Sequence, residues 1–268
     1  MIPDRPNGPS GGAFERWIER LEQRHLADRT FPEVRRALQA LSSLYVERRG
    51  RLARGAALDG AGKRAAFALF YGPIHHRIVD HLVRELELAR APLATVHDHG
   101  CGTGVAGAAW AANAAPPARV RGTDLNPWAV AEAARTYADL GLDGSARRGR
   151  VERARPGAGR DQAVVAGWVV NELDDRSRDA LRDGLLAAAE RGTRVLIVEP
   201  IARRPVPWWD DWERAFARAG GRSDLWRLPA DLPAIVARLD RAAGLSHRKL
   251  TARSLALGAK PAQGVGAP

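Results

Sequence analysis

The sequence predicts an α/β fold, a doubly wound and mostly parallel sheet with helices on both faces, preceded by a helical N-terminal region. Strand-like and helix-like segments alternate from about residue 91, which is typical of a parallel sheet. The first strand-like segment runs directly into a glycine-rich loop that opens a helix. Before it, apolar residues recur at helical spacing.

Composition limits the class of protein. A chain of 268 residues can form one large domain or two small ones and can bury a full core. With Cys101 as its single cysteine, it has no internal disulfide framework. It has neither a signal-peptide segment nor a run of the roughly 20 apolar residues that span a bilayer. We therefore expect a soluble cytoplasmic protein with no membrane contact.

The basic charge has two interpretations. The net charge is +11 and the pI is about 11.0, which suits an acidic partner such as RNA. Alternatively, the charge reflects base composition of the genome, because nearly all basic residues are arginine and the chain is rich in Ala, Gly and Pro. Charge alone does not separate the two.

The N-terminal region divides into a tail and helices. Residues 1–12 are polar and predict a disordered tail, and 13–90 predict a helical domain. Two helices are expected on either side of Phe31-Pro32, and a Gly- and Arg-rich connector over 50–63. A third apolar segment, AAFALFYG, is expected to end at Gly72-Pro73, and another helix follows it.

Residues 91–258 are expected to form the second domain, and 259–268 a tail. The predicted strands are 93–99, 118–124, 145–152, 161–170, 194–200 and 249–257, the third being faint. Asn126 and Pro127 predict an N-cap and first position for the helix after the second strand. Further helices are expected over 174–190, 208–219 and 231–243.

The loop segment VHDHGCGTGVAG, residues 96–107, could serve a metal or a cofactor. His97, Asp98, His99 and Cys101 are all metal-ligand types. The glycines interrupt the strand at once, however, and no CxxC, HExxH or second His/Cys cluster occurs elsewhere. We therefore expect no metal, with the histidines packed at the strand end.

The cofactor interpretation has two supports. The backbone N–H groups of a glycine loop and the helix N-terminus behind it can approach a ligand closely. Asp124 lies about 20 residues after Gly104, at the end of the second strand, where a carboxylate can accept the hydroxyls of a ribose. Loop and acid together are a stronger signal than either alone.

Two cofactors compete for this loop. GTGVAG matches the dinucleotide pattern G-x-G-x-x-G, but a carboxylate at Asp98 would repel a pyrophosphate. Asp98 followed by three alternate glycines instead resembles the loop of class I S-adenosylmethionine (SAM) methyltransferases, which have a Rossmann-like fold. GWVVNEL resembles the methyltransferase segment beside the reactive methyl. The resemblance implies cofactor contacts at the following residues: Asp98, Gly100, Cys101, Gly102, Gly104, Asp124, Leu125, Asn126 and Asn171.

One branch matches in the order of its segments. RGRLARGAAL, AAFALFYGPIHHRIVDHLVREL, the glycine loop through GAAWAA, VVAGWVVNEL and RVLIVEP resemble the methyltransferase-like assembly proteins of the small ribosomal subunit, over residues 45–200. The resemblance implies association with ribosomal RNA. Many members hold an iron–sulfur centre on a cysteine cluster, which the lone Cys101 cannot form, and the segment after VEP also differs.

Acceptor-site candidates are less specific. Asn171 and Glu172 at the end of the fourth strand could face the acceptor, or they could cap the next helix. His75 could act as a general base and Tyr71 could contact substrate, or both could lie at a helix surface. Trp208 and Trp209 could stack on a flat substrate, or pack in the core. Glu152 is a weak candidate for the acid after the third strand. Arg48, Arg49, Arg51, Arg54, Lys63 and Arg64 could contact phosphates, or form a solvated loop.

The sequence therefore predicts a SAM-dependent methyltransferase whose acceptor is ribosomal or other structured RNA. One alternative is a methyltransferase for a small aromatic or amine metabolite. Another is a ribosome assembly factor that binds SAM without catalysis.

Overall fold

A computed structural model describes residues 9–47, 58–155, 157–201 and 207–258. Residues 1–8 of the predicted N-terminal tail, the predicted tail 259–268, and Arg48, Arg49, Arg51 and Arg54 lie outside these ranges. The disorder predicted for residues 9–12 is wrong, because α1 begins at Pro9. The N-terminal region is helical as expected, with α1 Pro9–Leu26, α2 Phe31–Glu47, α3 Ala61–Ala66, a π-helical turn Phe67–Tyr71 and α4 Gly72–Glu85. Thr30 and Glu33 form a capping box, in which the N–H of Thr30 donates to Glu33 Oε2 at 2.7 Å.

The predicted break at Gly72-Pro73 is wrong. The backbone of Phe67, Tyr71 and Gly72 is right-handed helical, so α3, the π turn and α4 form one continuous helix. Proline lacks an N–H donor and clashes with the preceding turn of a regular α-helix. The wider π turn lies directly before Pro73. Single π turns inside helices occur often at functional sites.

A seven-stranded sheet forms the centre of the molecule. Its strands are β1 Thr95–His99, β2 Arg119–Asp124, β3 Gly144–Arg148, β4 Gln162–Gly167, β5 Arg194–Glu199, β6 Arg222–Pro229 and β7 Lys249–Leu257. They are ordered β3-β2-β1-β4-β5-β7-β6, and only β7 runs antiparallel to its neighbours. The Rossmann-like α/β fold predicted from the sequence is confirmed.

Three strands differ from expectation. The fourth, predicted over 161–170, ends at Gly167 and is followed by a 3-10 turn at Val170–Glu172. The faint third strand is shorter than predicted and gives way to a 3-10 turn at Val151–Arg153. The strand β6 was not predicted, because it lies at the sheet edge, alternates between partly buried and exposed residues and ends in a proline. The helices after β1 are α5 Val105–Ala112, α6 Pro127–Asp139, α7 Asp175–Glu190, α8 Pro207–Arg218 and α9 Ala234–Ala243.

The two faces of the sheet are covered unequally. On one face, Gly107 of α5 lies so close to β1 and β2 that a Cβ on it would come within 2.8 Å of Asp98 and Val120. On the other face, α7 and α8 pack over β4 and β5. Within residues 149–155 and 157–161, which connect β3 to β4, the secondary structure is a single 3-10 turn. No helix of this connection therefore covers β2 and β3.

The N-terminal helices are part of the same core as the sheet. One cluster of buried apolar residues extends from Trp17 in α1 to Val96 in β1. Buried Glu132 of α6 binds His25 at 2.9 Å and Arg24 at 3.1 Å. The domain boundary at residue 90 therefore stays a prediction, and the apolar core is continuous across it. None of the described helices combines the length and apolar character needed to cross a membrane.

Candidate cofactor site

The glycine loop after β1 has the backbone that the sequence predicted. Gly100, Gly102 and Gly104 have φ angles of +69°, +51° and +81°, a region that favours glycine. A Cβ on Gly100 would come within 2.4 Å of Val169, and one on Gly104 within 2.7 Å of Tyr137. At Gly102 the nearest atom would be 3.8 Å away, on Phe67. Neighbouring side chains therefore leave no room for a side chain at Gly100 or Gly104, whereas space remains beside Gly102.

Asp98 lies beneath this loop with an unused oxygen. Its Oδ2 accepts the Gly107 N–H at 2.8 Å, while its Oδ1 is buried and has no hydrogen-bond partner. The pKa of Asp98 is raised to about 7, chiefly by burial, with the Gly107 N–H lowering it and nearby Asp124 adding to the rise. A cationic donor near Oδ1 would stabilise the ionised carboxylate.

Asp124 connects the loop to the next helix. Its Oδ2 accepts the N–H of Gly102 at 2.9 Å, and its Oδ1 accepts the N–H of Asn126 at 2.8 Å. Asn126 Oδ1 in turn accepts from Trp128 N at 2.9 Å, which confirms the predicted N-cap. Leu125 is 57% exposed. Each carboxylate oxygen of Asp124 retains acceptor capacity for a ribose hydroxyl.

Asn171 is held in a hydrogen-bond network at the end of β4. Its Nδ2 donates to Glu199 Oε2 at 2.5 Å, and its Oδ1 accepts from the indole N–H of Trp208 at 3.0 Å. Glu199 is fully buried and also accepts the N–H of Val170 at 2.9 Å. Burial raises the pKa of Glu199 to about 7. Both polar ends of the Asn171 amide are therefore engaged by protein.

Glu172 has a different environment from its neighbour. Its surface is accessible to solvent. Desolvation by the surrounding protein, followed by repulsion from Glu199 and Asp124, raises its pKa to about 8. The carboxyl group of Glu172 is therefore mostly protonated at neutral pH.

Four aromatic side chains, from α4, the π turn and the segment after β4, come together above the loop. His75 of α4 stacks on Trp168 with ring centroids 3.6 Å apart and an interplanar angle of 6°. Phe67 and Tyr71 of the π turn lie 6.4 and 5.9 Å from the same histidine ring. All four are only partly buried. We call this group the aromatic recess.

Trp168 and His75 have unusual local properties. Trp168 has φ +58°, which costs a non-glycine residue about 1–2 kcal/mol, and its N–H donates to Val198 O at 2.7 Å. Desolvation lowers the pKa of His75 to about 3. His75 is therefore a neutral imidazole and a weak base at physiological pH. The sequence did not single out Trp168 or Phe67, although they lie in GWVVNEL and AAFALFYG, two segments that carry the family resemblance.

The remaining candidates lie apart from the recess. Trp208 and Trp209 of α8 are 8% and 5% exposed and pack in the apolar core against the sheet. This burial favours a packing role, and their contact with substrate stays a prediction. Arg64 donates to Leu58 O at 2.9 Å. Its guanidinium lies 5.8 Å from the Trp128 ring. Lys63 precedes Arg64 in the same turn of α3.

The structure does not bring His97, His99 and Cys101 together in the arrangement of a metal site. The Gly157 N–H donates to Nε2 of His97 at 3.1 Å. His99 is buried at the end of β1. Cys101 is buried too, near Gly122. Among the described residues, no three His, Cys, Asp or Glu side chains lie together as a metal site would need.

Comparison with known proteins identifies the domain. Residues 96–192 match the family model described as a methyltransferase domain. They include the glycine loop, Asp98, Asp124 and the end of β4. Residues 96–192, with the strand order described above, are therefore assigned to a SAM-dependent class I methyltransferase domain. No curated protein matches the sequence.

Solved structures resemble the chain at low identity. Magnesium protoporphyrin IX methyltransferase from Synechocystis PCC 6803, with bound SAM, is 17% identical, covers 68% of this chain and 79% of its own, and has a TM-score of 0.46. Geranyl diphosphate C-methyltransferase from Streptomyces coelicolor A3(2) is 14% identical, covers 68% of this chain and 79% of its own, and has a TM-score of 0.43. A proposed RNA methyltransferase from Pyrococcus horikoshii is 14% identical, covers 69% of this chain and 83% of its own, and has a TM-score of 0.43. These likenesses do not identify the acceptor of this domain.

The site fits SAM in three respects. The unpartnered Oδ1 of Asp98 suits the ammonium group of the methionine half. The two oxygens of Asp124 suit the ribose hydroxyls, and the open backbone at Gly102 leaves room for the ligand. The branch of ribosomal assembly proteins named above is not identified by these comparisons and stays a proposal.

Proposed function

We propose that this domain methylates a base of structured RNA, ribosomal RNA being the leading candidate, at the aromatic recess. The observation that carries the proposal is the position of the recess. Its rings come from α4, the π turn and the end of β4, directly above the glycine loop that fits the cofactor. Nucleobases are recognised by stacking on such rings when they are turned out of a strand.

The chain's residues have separable tasks. Asp98 and the backbone of Gly102 and Gly104 would hold the methionine half of SAM, and Asp124 the ribose. SAM supplies an electrophilic methyl group on a sulfonium. The residues around it must align an acceptor for in-line displacement and exclude water, and alignment alone supplies much of the rate of such a reaction.

Proton removal from a base nitrogen needs an acceptor, and the two candidate groups differ in protonation. His75 lies neutral among the aromatic rings, but with a pKa of about 3 it is a weak base. Glu172, in the segment after β4, has a pKa of about 8 and could accept a proton only where pH ionises its carboxyl. Asn171 contributes indirectly, because its amide fixes the segment after β4 through Glu199 and Trp208.

A small planar metabolite is the second candidate acceptor. The recess would hold any flat ring of suitable size, since stacking is tolerant of chemical identity. The tryptophans of α8 give this alternative no support, because Trp208 and Trp209 are buried in the core. The presence or absence of a polyanion-binding surface therefore separates the two acceptors.

The experiment has two steps. S-adenosylhomocysteine is titrated calorimetrically into the wild type and into Asp124→Ala, and binding is expected in the first and loss of binding in the second. Methyl-labelled SAM is then incubated with the protein and either total small-subunit RNA or a small-molecule extract. Label in RNA that disappears in Trp168→Ala supports the proposal. Label in the extract alone would replace RNA with a metabolite, and failure of the folded wild type to bind S-adenosylhomocysteine would refute both.

A further inference from the structure

The uncovered face of β2 and β3 carries exposed arginines. Arg119 and Arg121 of β2 and Arg147 of β3 point to the face that lacks a connecting helix, and all three are exposed. Alternate residues of a strand share a face. Burial lowers the pKa of His97 on this face of β1, and Arg121 and Arg147 lower it further, which places both guanidinium groups on the His97 side. We call these three residues the arginine face.

The charge of this face is largely uncompensated. Arg119 pairs with Asp143 at 2.7 Å. Within the described ranges, Arg121 and Arg147 form no salt bridge. From the register, in which Thr123 lies beside Arg147, the Cα atoms of Arg121 and Arg147 are roughly 8 Å apart. The segment 147–160 adds to the charge, with six arginines and one acid.

The arginine face is next to the cofactor loop. The carbonyl of Thr123 accepts the N–H groups of Gly100 and Cys101 at 2.8 and 3.1 Å. Thr123 is also the register partner of Arg147. A polyanion that lies across β2 and β3 therefore reaches the same edge of the sheet at which the methyl donor binds.

We propose that the arginine face, with the arginines of segment 147–160, binds the phosphate backbone of the RNA whose base enters the aromatic recess. Charge complementarity selects the partner, since arginines without carboxylate partners attract phosphates in bidentate geometry. Because the connection from β3 to β4 places no helix over β2 and β3, an RNA backbone can approach these arginine side chains directly. The proposal rests on the proposed function only in that the bound RNA carries the acceptor base.

Binding is tested without the cofactor, so that its outcome is independent of catalysis. Fluorescence anisotropy of an end-labelled RNA stem-loop is measured with the full chain and with Arg121→Gln/Arg147→Gln, over roughly 50 to 200 mM salt. The double variant is expected to bind roughly tenfold or more weakly, and the slope of log affinity against log salt to fall by about 1.5. The matched control is Arg218→Gln/Arg241→Gln, which removes two exposed arginines from the last turns of α8 and α9.

Each outcome decides the proposal. Weaker binding in the first variant and unchanged binding in the control support it, whether or not methyl transfer is later observed. Equal loss in both variants would show non-specific attraction to net charge and overturn it. RNA binding unchanged in the first variant, or a wild type that binds polyglutamate but not the stem-loop, would also overturn it. Failure of S-adenosylhomocysteine binding alone would overturn the proposed function and leave this surface intact.

Discussion

Replacement of Asn171 by alanine distinguishes a structural from a catalytic role for this residue. The change removes the Nδ2 donor to Glu199 and the Oδ1 acceptor of the Trp208 indole. A hydrogen bond to a charged group contributes about 1.5–3 kcal/mol, and a neutral bond about 1. We therefore expect Asn171→Ala to lower the free energy of unfolding by about 3 kcal/mol at pH 8, where Glu199, with a pKa of about 7, is mostly ionised.

Urea unfolding followed by far-UV circular dichroism measures this loss. At pH 6 the Glu199 carboxyl is mostly protonated, the bond from Nδ2 is no longer charge-assisted, and the cost of Asn171→Ala is expected to shrink. Trp208→Phe removes the indole donor alone, so a double-mutant cycle isolates its coupling to Asn171. An Asn171→Ala protein of unchanged stability that binds S-adenosylhomocysteine normally but transfers no methyl would refute this reasoning and assign the amide to the acceptor.

Three other changes test the cofactor site and its support. Gly100→Ala should abolish S-adenosylhomocysteine binding, because its Cβ would overlap Val169, whereas Gly141→Ala, with φ +72° and no atom within 4 Å, should cost only about 1 kcal/mol and leave binding intact; equal calorimetric affinities for the two variants would contradict the loop geometry. Affinity for S-adenosylhomocysteine should fall about tenfold for each pH unit below the Asp98 pKa of about 7, because protonation removes the charge that attracts the ligand ammonium, and Asp98→Asn should flatten that profile; a sloping profile in the variant would point to another group. Glu132→Gln should destabilise the protein by about 3 kcal/mol in urea, since it leaves Arg24 and His25 without their buried partner, and an unchanged midpoint would show that this network adds nothing to stability.

The sequence predicted the parts of the fold that have strong local patterns. The strands β4 and β5 are buried and mostly apolar, and the glycine loop with Asp98 and Asp124 follows a spacing tied to one backbone geometry. Edge strands lack such a pattern. β3 is short and polar, and β6 is half-exposed. Their pairing therefore depends on strands that are distant in the sequence and cannot be read from the residues around them.

Tertiary contacts decide what the sequence could not show at the site. The stacking of His75 on Trp168 joins residues far apart in the chain, and the positive φ of Trp168 has no signature in the letters around it. The predicted break before Pro73 was wrong, because a π turn can absorb a proline that an α-helix would not. Asn171 was predicted as a site residue from its position, but its buried partner Glu199 became visible only in three dimensions.

The arginines of β3 also bear on how the protein avoids self-association. β3 is an outer strand of the sheet, so one side of its backbone is free to pair with another chain. It spans only Gly144–Arg148, and exposed Arg147 and Arg148 occupy its last two positions. Short length and like charge oppose edge-to-edge pairing between copies. Neutral substitutions here should therefore lower the concentration at which the protein aggregates, even in variants that fold normally.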